Sequence, residues 1–208
     1  MTIKLYRGDL PDGLTLGPLV AMDTETLGLA LGRDRLCVVQ LSSGDGNSHL
    51  VQVPRPTPGG GPPSAPNLVR LLTDPGVTKL LHFARFDLAI LQRTFGVVTA
   101  PVYCTKIASR LVRTYTDRHG LKDLVKELLG IELSKQQQSS DWGAEDLSQE
   151  QLAYAGADVL HLHALKAKLD VMLAREGRTA LAAACFAFLP TRAALDLGGW
   201  PDDIFSHS

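Results

Sequence analysis

The sequence predicts an α/β fold, a mixed five-stranded sheet flanked by helices and closed by a helical C-terminal part. Three observations predict it. Runs of apolar and β-branched residues separated by turn chemistry fill the first quarter of the chain. Strand-like and helix-like segments then alternate, and from Ser148 onward the pattern is helical.

The elements follow in order. Ile3–Tyr6 reads as a short strand before a Gly/Pro/Asp loop. Leu19–Glu25 is a buried strand, its apolar run Leu19, Val20, Ala21, Met22 ending in two acids. Arg35–Ser42 is rich in β-branched residues, Gly44–Asn47 is turn chemistry, and His49–Val53 returns, so these three strands should form an antiparallel meander. Residues 54–66, PRPTPGGGPPSAP, cannot pack a core and read as a surface loop inside one domain spanning residues 1–208. Asn67 is placed to cap a short helix at Leu68–Leu72. Thr78–Phe83 is a strand and Ala84–Phe95 a helix closed by Gly96. Val102–Cys104 is a short strand, followed by helices near Lys106–Val112 and Leu121–Leu129. Ser148, with Glu150 and Gln151 in the first turn, starts a long helix reaching about Arg175. A last helix covers Thr179–Phe188, with Pro190 breaking or kinking it.

Composition narrows the function. The formal net charge is −1, whereas a protein gripping long nucleic acid usually presents a basic surface. A nucleic-acid substrate should therefore be short or held by a local basic patch. The three cysteines, Cys37, Cys104 and Cys185, are widely spaced, which reads as a reduced, cytoplasmic protein without a zinc or disulfide framework. The N-terminus has no apolar signal region, and no apolar run is expected to span a membrane.

The chemistry lies in the acids. Asp23 and Glu25, two apart on a strand, project to one face with Thr24 turned away, and like charges so close call for a cation. Gly28 lets the chain turn sharply behind them. Asp87 lies one turn into the helix after the fourth main strand. It comes near the pair if that strand runs parallel to Leu19–Glu25. Tyr154 and Asp158 share a helical face, separated by small residues that permit close packing on the sheet. Each feature alone has an ordinary explanation: solvated acids at a strand end, an acid favoured at a helix N-terminus, a rim carboxylate beside a core tyrosine. Together they offer only hard oxygen ligands, which select Mg²⁺ or Mn²⁺, and four carboxylates suffice for two such ions.

In type and order these residues resemble the DEDD exonuclease superfamily, tyrosine subtype, in its ribonuclease D branch. Asp23 and Glu25 match the first motif, Asp87 the second, Tyr154 and Asp158 the third. Ser140-Asp141-Trp142 and residues 147–159 resemble ribonuclease D as well, whereas Phe83 departs from an Asn common there. The segments Asp34–Gly44, Thr114–Gly120, Lys135–Trp142 and Asp203–Ser208 resemble the nano-RNase C family, enzymes that finish RNA decay by cleaving very short oligoribonucleotides. The resemblance implies a ribonuclease H-like exonuclease fold, a ring-like homo-octamer, and 3′-5′ hydrolysis of dinucleotides to nucleoside 5′-monophosphates. It implies one cation site at Asp23, Glu25 and Asp158, another at Asp23 and Asp87, and Tyr154 orienting the attacking water. It makes Leu29 a wedge between two bases. Candidates for holding substrate are His82, Arg118, His119, Lys135 and Gln138, the last four at its 5′ phosphate. Rival readings are a general ribonuclease D-like exonuclease acting on longer RNA or DNA, and a non-catalytic nucleic-acid-binding protein on the same fold. The tail residues Ile204 and Phe205 should dock on this domain or a neighbouring subunit.

Overall fold

The computed structural model describes residues 2–56, 59–134, 136–137 and 139–207. Among these, six strands form one mixed sheet in the order β1-β4-β3-β2-β5-β6. The strands are β1 (Thr2–Arg7), β2 (Leu19–Thr26), β3 (Leu36–Ser42), β4 (Asn47–Gln52), β5 (Thr78–Leu81) and β6 (Val102–Cys104). The sheet has one strand more than the five expected, because β1 pairs in parallel with β4 at the edge. The meander β2-β3-β4 is antiparallel as predicted, and β5 runs parallel to β2. Since β3 alone runs against the others, the C-terminal ends of β1, β2, β4, β5 and β6 share one sheet edge. The functional residues converge on that edge.

The helices are α1 (Pro66–Thr73), α2 (Ala84–Phe95), α3 (Thr105–Val112), α4 (Leu121–Leu129), α5 (Gln149–Leu160), α6 (Leu162–Arg175) and α7 (Thr179–Leu197). Three boundaries differ from the sequence reading. Asn67 does not cap α1. Pro66 occupies the first turn, and the distant Asp9 carboxylate accepts from the Asn67 and Leu68 amides at 2.8 Å each. The helix expected to run from Ser148 to Arg175 is broken at His161, which serves as C-cap of α5 and N-cap of α6. Pro190 does not end the last helix, which continues to Leu197 with Ala182, Phe186, Leu189 and Ala193 buried on its inner face. By length and composition α7 is also apolar enough to cross a membrane, at a mean hydropathy of 1.4, contrary to the expectation that no run would be.

The main core lies between the sheet and α2, α3, α6 and α7, with Met22, Leu41, Leu80, Leu88, Leu165 and Phe186 inside it. A smaller cluster of Cys37, Val38, Leu50, Trp142 and Ala155 seats α5 on β3 and β4. The predicted cap on α5 is a reciprocal capping box. The Gln151 amide donates to Ser148 Oγ at 3.2 Å, and the Ser148 amide donates to Gln151 Oε1 at 2.9 Å. The tail backbone is tied to its own domain, but Ile204 and Phe205, expected to dock, stay 50% and 76% exposed. Arg85 donates to the Pro201 carbonyl at 2.6 Å, Arg192 to that of Asp202 at 3.1 Å, and Phe205 lies 6.1 Å from Phe188, ring to ring.

Candidate active site

The end of β2 carries Asp23 and Glu25, and α5 lays Asp158 over the same face. One oxygen from each of these three carboxylates lies within 4.8 Å of the others. Gly156 permits the approach: a Cβ there would meet Ile3 at 3.2 Å and Ser48 Oγ at 3.4 Å, so α5 sits as close to β1 and β4 as backbone allows. Tyr154 projects one turn before Asp158, its ring 6.0 Å from the fully buried Trp142. Asp87, in the first turn of α2, stands outside the trio but beside it. Thr24, turned away from Asp23 and Glu25 as alternation predicts, has a partner of its own. Its hydroxyl donates to Asp87 Oδ1 at 2.6 Å, tying β2 to α2.

The electrostatics follow from burying four acids together. Burial pushes Asp23 up to about 6. It pushes Glu25 up to about 9, helped by the charges of Asp23, Asp158 and Asp87. Asp158 rises to about 8 through burial and the charge of Asp23, and Asp87 rises well above the usual range for the same two reasons. The Tyr154 hydroxyl is raised by burial and then by Asp158, so it stays protonated and able to donate. Among the described residues no cationic side chain is paired with these four acids. At neutral pH Glu25 and Asp158 give up their protons only to a bound cation, and the all-oxygen donor set fits a hard divalent ion.

The loop between β2 and β3 is tightly tied. Asp34 Oδ2 accepts from the Ala30 amide at 2.9 Å, Arg33 Nε donates to Asp34 Oδ1 at 2.7 Å, and Arg93 reaches the Gly32 and Asp34 carbonyls at 2.8 and 3.0 Å. Gly28 is needed here for space rather than for a special turn. It is not among the glycines with positive φ, and an added Cβ would overlap the Asp34 carboxylate. The tied loop presents Leu29 with 82% of its surface exposed.

The other candidates spread around β5. The His82 ring bonds Thr105 Oγ1 at 2.9 Å and adjoins Lys106 and the His119 backbone; burial, then Lys106, lowers its pKa to about 3, leaving it neutral. His119 Nδ1 is 2.9 Å from Ser109 Oγ. The Arg118 carbonyl accepts from Arg113, a fully buried guanidinium also paired with Glu127. Lys135 and Gln138 lie outside the described residues. A local basic patch does exist on the same sheet edge, beyond β3. Arg7, Arg35 and Arg55 line a cavity of about 580 Å³ with Gln52 and Gly143. Sequence reasoning passed over Gln40, register partner of Asp23, which is fully buried with no hydrogen-bond partner for its amide among the described residues. It also missed Lys106, two positions past the end of β6 and next to Thr105. Neither belongs to a spaced acidic motif, which was the signal followed.

The comparisons place this arrangement in a class. Residues 12–174 match the family model described as 3′-5′ exonuclease, and the chain belongs to that family. Over its whole length it is similar to the structure of Brucella melitensis NrnC with bound Mg²⁺, at 57% identity and a TM-score of 0.92, with both chains covered completely. Brucella melitensis NrnC bound to pGG matches over the same extent at 58% identity and a TM-score of 0.93. Ribonuclease D of Gluconacetobacter diazotrophicus is 40% identical over 161 residues, 77% of this chain and 39% of the relative. The chain thus spans about two fifths of the length of the curated relatives it matches. The ribonuclease H-like exonuclease fold expected from the sequence is the fold observed.

Proposed function

We propose that the chain is a metal-dependent 3′-5′ exoribonuclease that hydrolyses short oligoribonucleotides, above all dinucleotides, to nucleoside 5′-monophosphates. The observation that carries this reading is the trio Asp23, Glu25 and Asp158, with oxygens within 4.8 Å of one another and Asp87 hydrogen-bonded alongside. The full-length similarity to NrnC, a protein seen with Mg²⁺ and with pGG, supports both the cation and the short substrate.

Asp23, Glu25 and Asp158 would hold one divalent ion, and Asp23 with Asp87 a second, Mg²⁺ or Mn²⁺. Such ions, when bound, supply an activated water and neutralise charge on the leaving oxygen. The chain's own groups do the rest. Thr24 fixes the Asp87 carboxylate, and Trp142 backs the ring of Tyr154, whose protonated hydroxyl orients the attacking water at the terminal phosphodiester. Leu29 separates the two bases. His82 is a further substrate contact, and Arg118, His119, Lys135 and Gln138 grip the 5′ phosphate. A cap there favours two-residue substrates, because a longer chain collides with it. The protein acts in the cytoplasm as one exonuclease domain per chain, assembled as a homo-octamer.

A time course on 5′-labelled RNA of two to twenty nucleotides, with a DNA control, tests the substrate. Faster loss of the dinucleotide is expected; faster loss of long RNA or of DNA would replace this reading with a general ribonuclease D-like exonuclease. Asp158→Ala should fold and lose nearly all turnover. Substantial activity of that variant with Mn²⁺ supplied would refute the catalytic assignment.

A further inference from the structure

We propose that Phe83 is a nucleobase platform, forming with Leu29 the walls of a slot for one base of the substrate. Phe83 caps α2 in the left-handed region, at φ 65°, ψ 45°, and is the non-glycine residue with positive φ among those described. Backbone sterics disfavour a bulky side chain there, whereas Asn and Gly enter that region readily. Core packing does not compensate, because 47% of Phe83 is exposed. A residue favoured neither by backbone nor by burial points to a use for the ring itself.

The surroundings say what use. Phe83, Phe86 and Leu29 line a cavity of about 340 Å³, closed on one side by Pro201 of the C-terminal tail. Arg85 fixes that side, donating to both Asp196 oxygens at 2.6 and 2.5 Å and to the Pro201 carbonyl. Lys106 Nζ lies 4.1 Å from the Phe83 ring centroid, steadying the ring and placing a positive charge beside it. Both walls hang from the elements that carry the acids: Leu29 lies on the loop that leaves β2 after Glu25, and Phe83 caps the helix whose first turn holds Asp87. A flat apolar group attached to an anion, brought beside acids that would hold the cations for phosphodiester hydrolysis, matches a nucleobase on its phosphate. This inference rests on the proposed activity.

Phe83→Asn separates function from structure, since Asn relieves the backbone while removing the ring. Its melting temperature should equal or exceed that of the unmodified chain. Its KM for a 5′-phosphorylated RNA dinucleotide should rise about tenfold, the scale of one base-aromatic stack, with a smaller change in kcat. Phe83→Tyr should restore KM. Isothermal titration of the same dinucleotide into Asp158→Ala and Asp158→Ala/Phe83→Asn reads binding without turnover and should give the same ratio. If the dinucleotide is hydrolysed but Phe83→Asn leaves KM and affinity unchanged, or lowers kcat alone, the platform is wrong and Phe83 merely positions Asp87. If nothing is hydrolysed while affinity still depends on the ring, the platform stands and the proposed reaction falls. Absence of binding by either protein overturns both.

Discussion

Asp23, Glu25, Asp87 and Asp158 each hold their protons more tightly in the folded chain than carboxylates in water, for which the pKa is about 4. The unfolded chain sheds these protons first. The stability of the cation-free protein is therefore fully present below about pH 4 as far as these groups are concerned, and is lost as pH rises toward the values near 8 and 9 of Asp158 and Glu25. Thermal melts in chelator should show a falling midpoint from pH 5 to 9. Added Mg²⁺ or Mn²⁺ should raise the midpoint, by an increment that grows with pH. A midpoint indifferent to both ions at pH 8 would remove these acids as cation ligands. The acids were legible in the sequence because strand alternation and helical spacing fix which residues share a face. The role of Thr24 was not legible, since its partner Asp87 arrives from α2, an element that β2 alone does not disclose. Phe83 was visible only as an odd residue, because a backbone angle is not written in a residue type.

At the level of elements, α5 is the one the site depends on most. Its capping box sets its start, Gln151 Nε2 ties it to Ser140 Oγ and the Asp141 carbonyl at 3.1 and 3.0 Å, and Gly156 lets it sink onto β1 and β4. Gly156→Val has no room without moving the helix, so it should cost about 1–3 kcal/mol of overpacking. Because Tyr154 and Asp158 flank that position, turnover should drop far more than the melting temperature suggests. Circular dichroism with single-turnover kinetics checks both, and unchanged turnover would mean that α5 tolerates displacement. Most elements could be read from periodicity, including β2, α2, α4 and the start of α5. The membership of β1 in the sheet could not, because it pairs with β4 across some forty residues and its own pattern is short and half polar. The break at His161 was hidden by apolar residues that continue on both sides. The continuation through Pro190 was hidden because packing of α7 on α2 outweighs one missing backbone bond.

For the whole molecule, the outer face of α7 and the tail matter most. Leu181, Phe188, Trp200, Ile204 and Phe205 remain exposed although the tail carbonyls are tied to Arg85 and Arg192. A chain truncated before Asp202, together with Leu181→Glu in the full chain, should elute from gel filtration as a smaller assembly. Unchanged elution of both would exclude this face from assembly. No periodicity argument reaches this scale, because the pattern within a helix does not say what meets its exposed apolar residues.

The loop that carries Leu29 has a kinetic consequence. Asp34, Arg33 and Arg93 brace it from three directions, so its shape is set during folding and no lid must close over the substrate. Association should then be a single encounter without a slow rearrangement, and release of product should need no opening step. A site braced in this way is open to substrate from the moment the chain has folded.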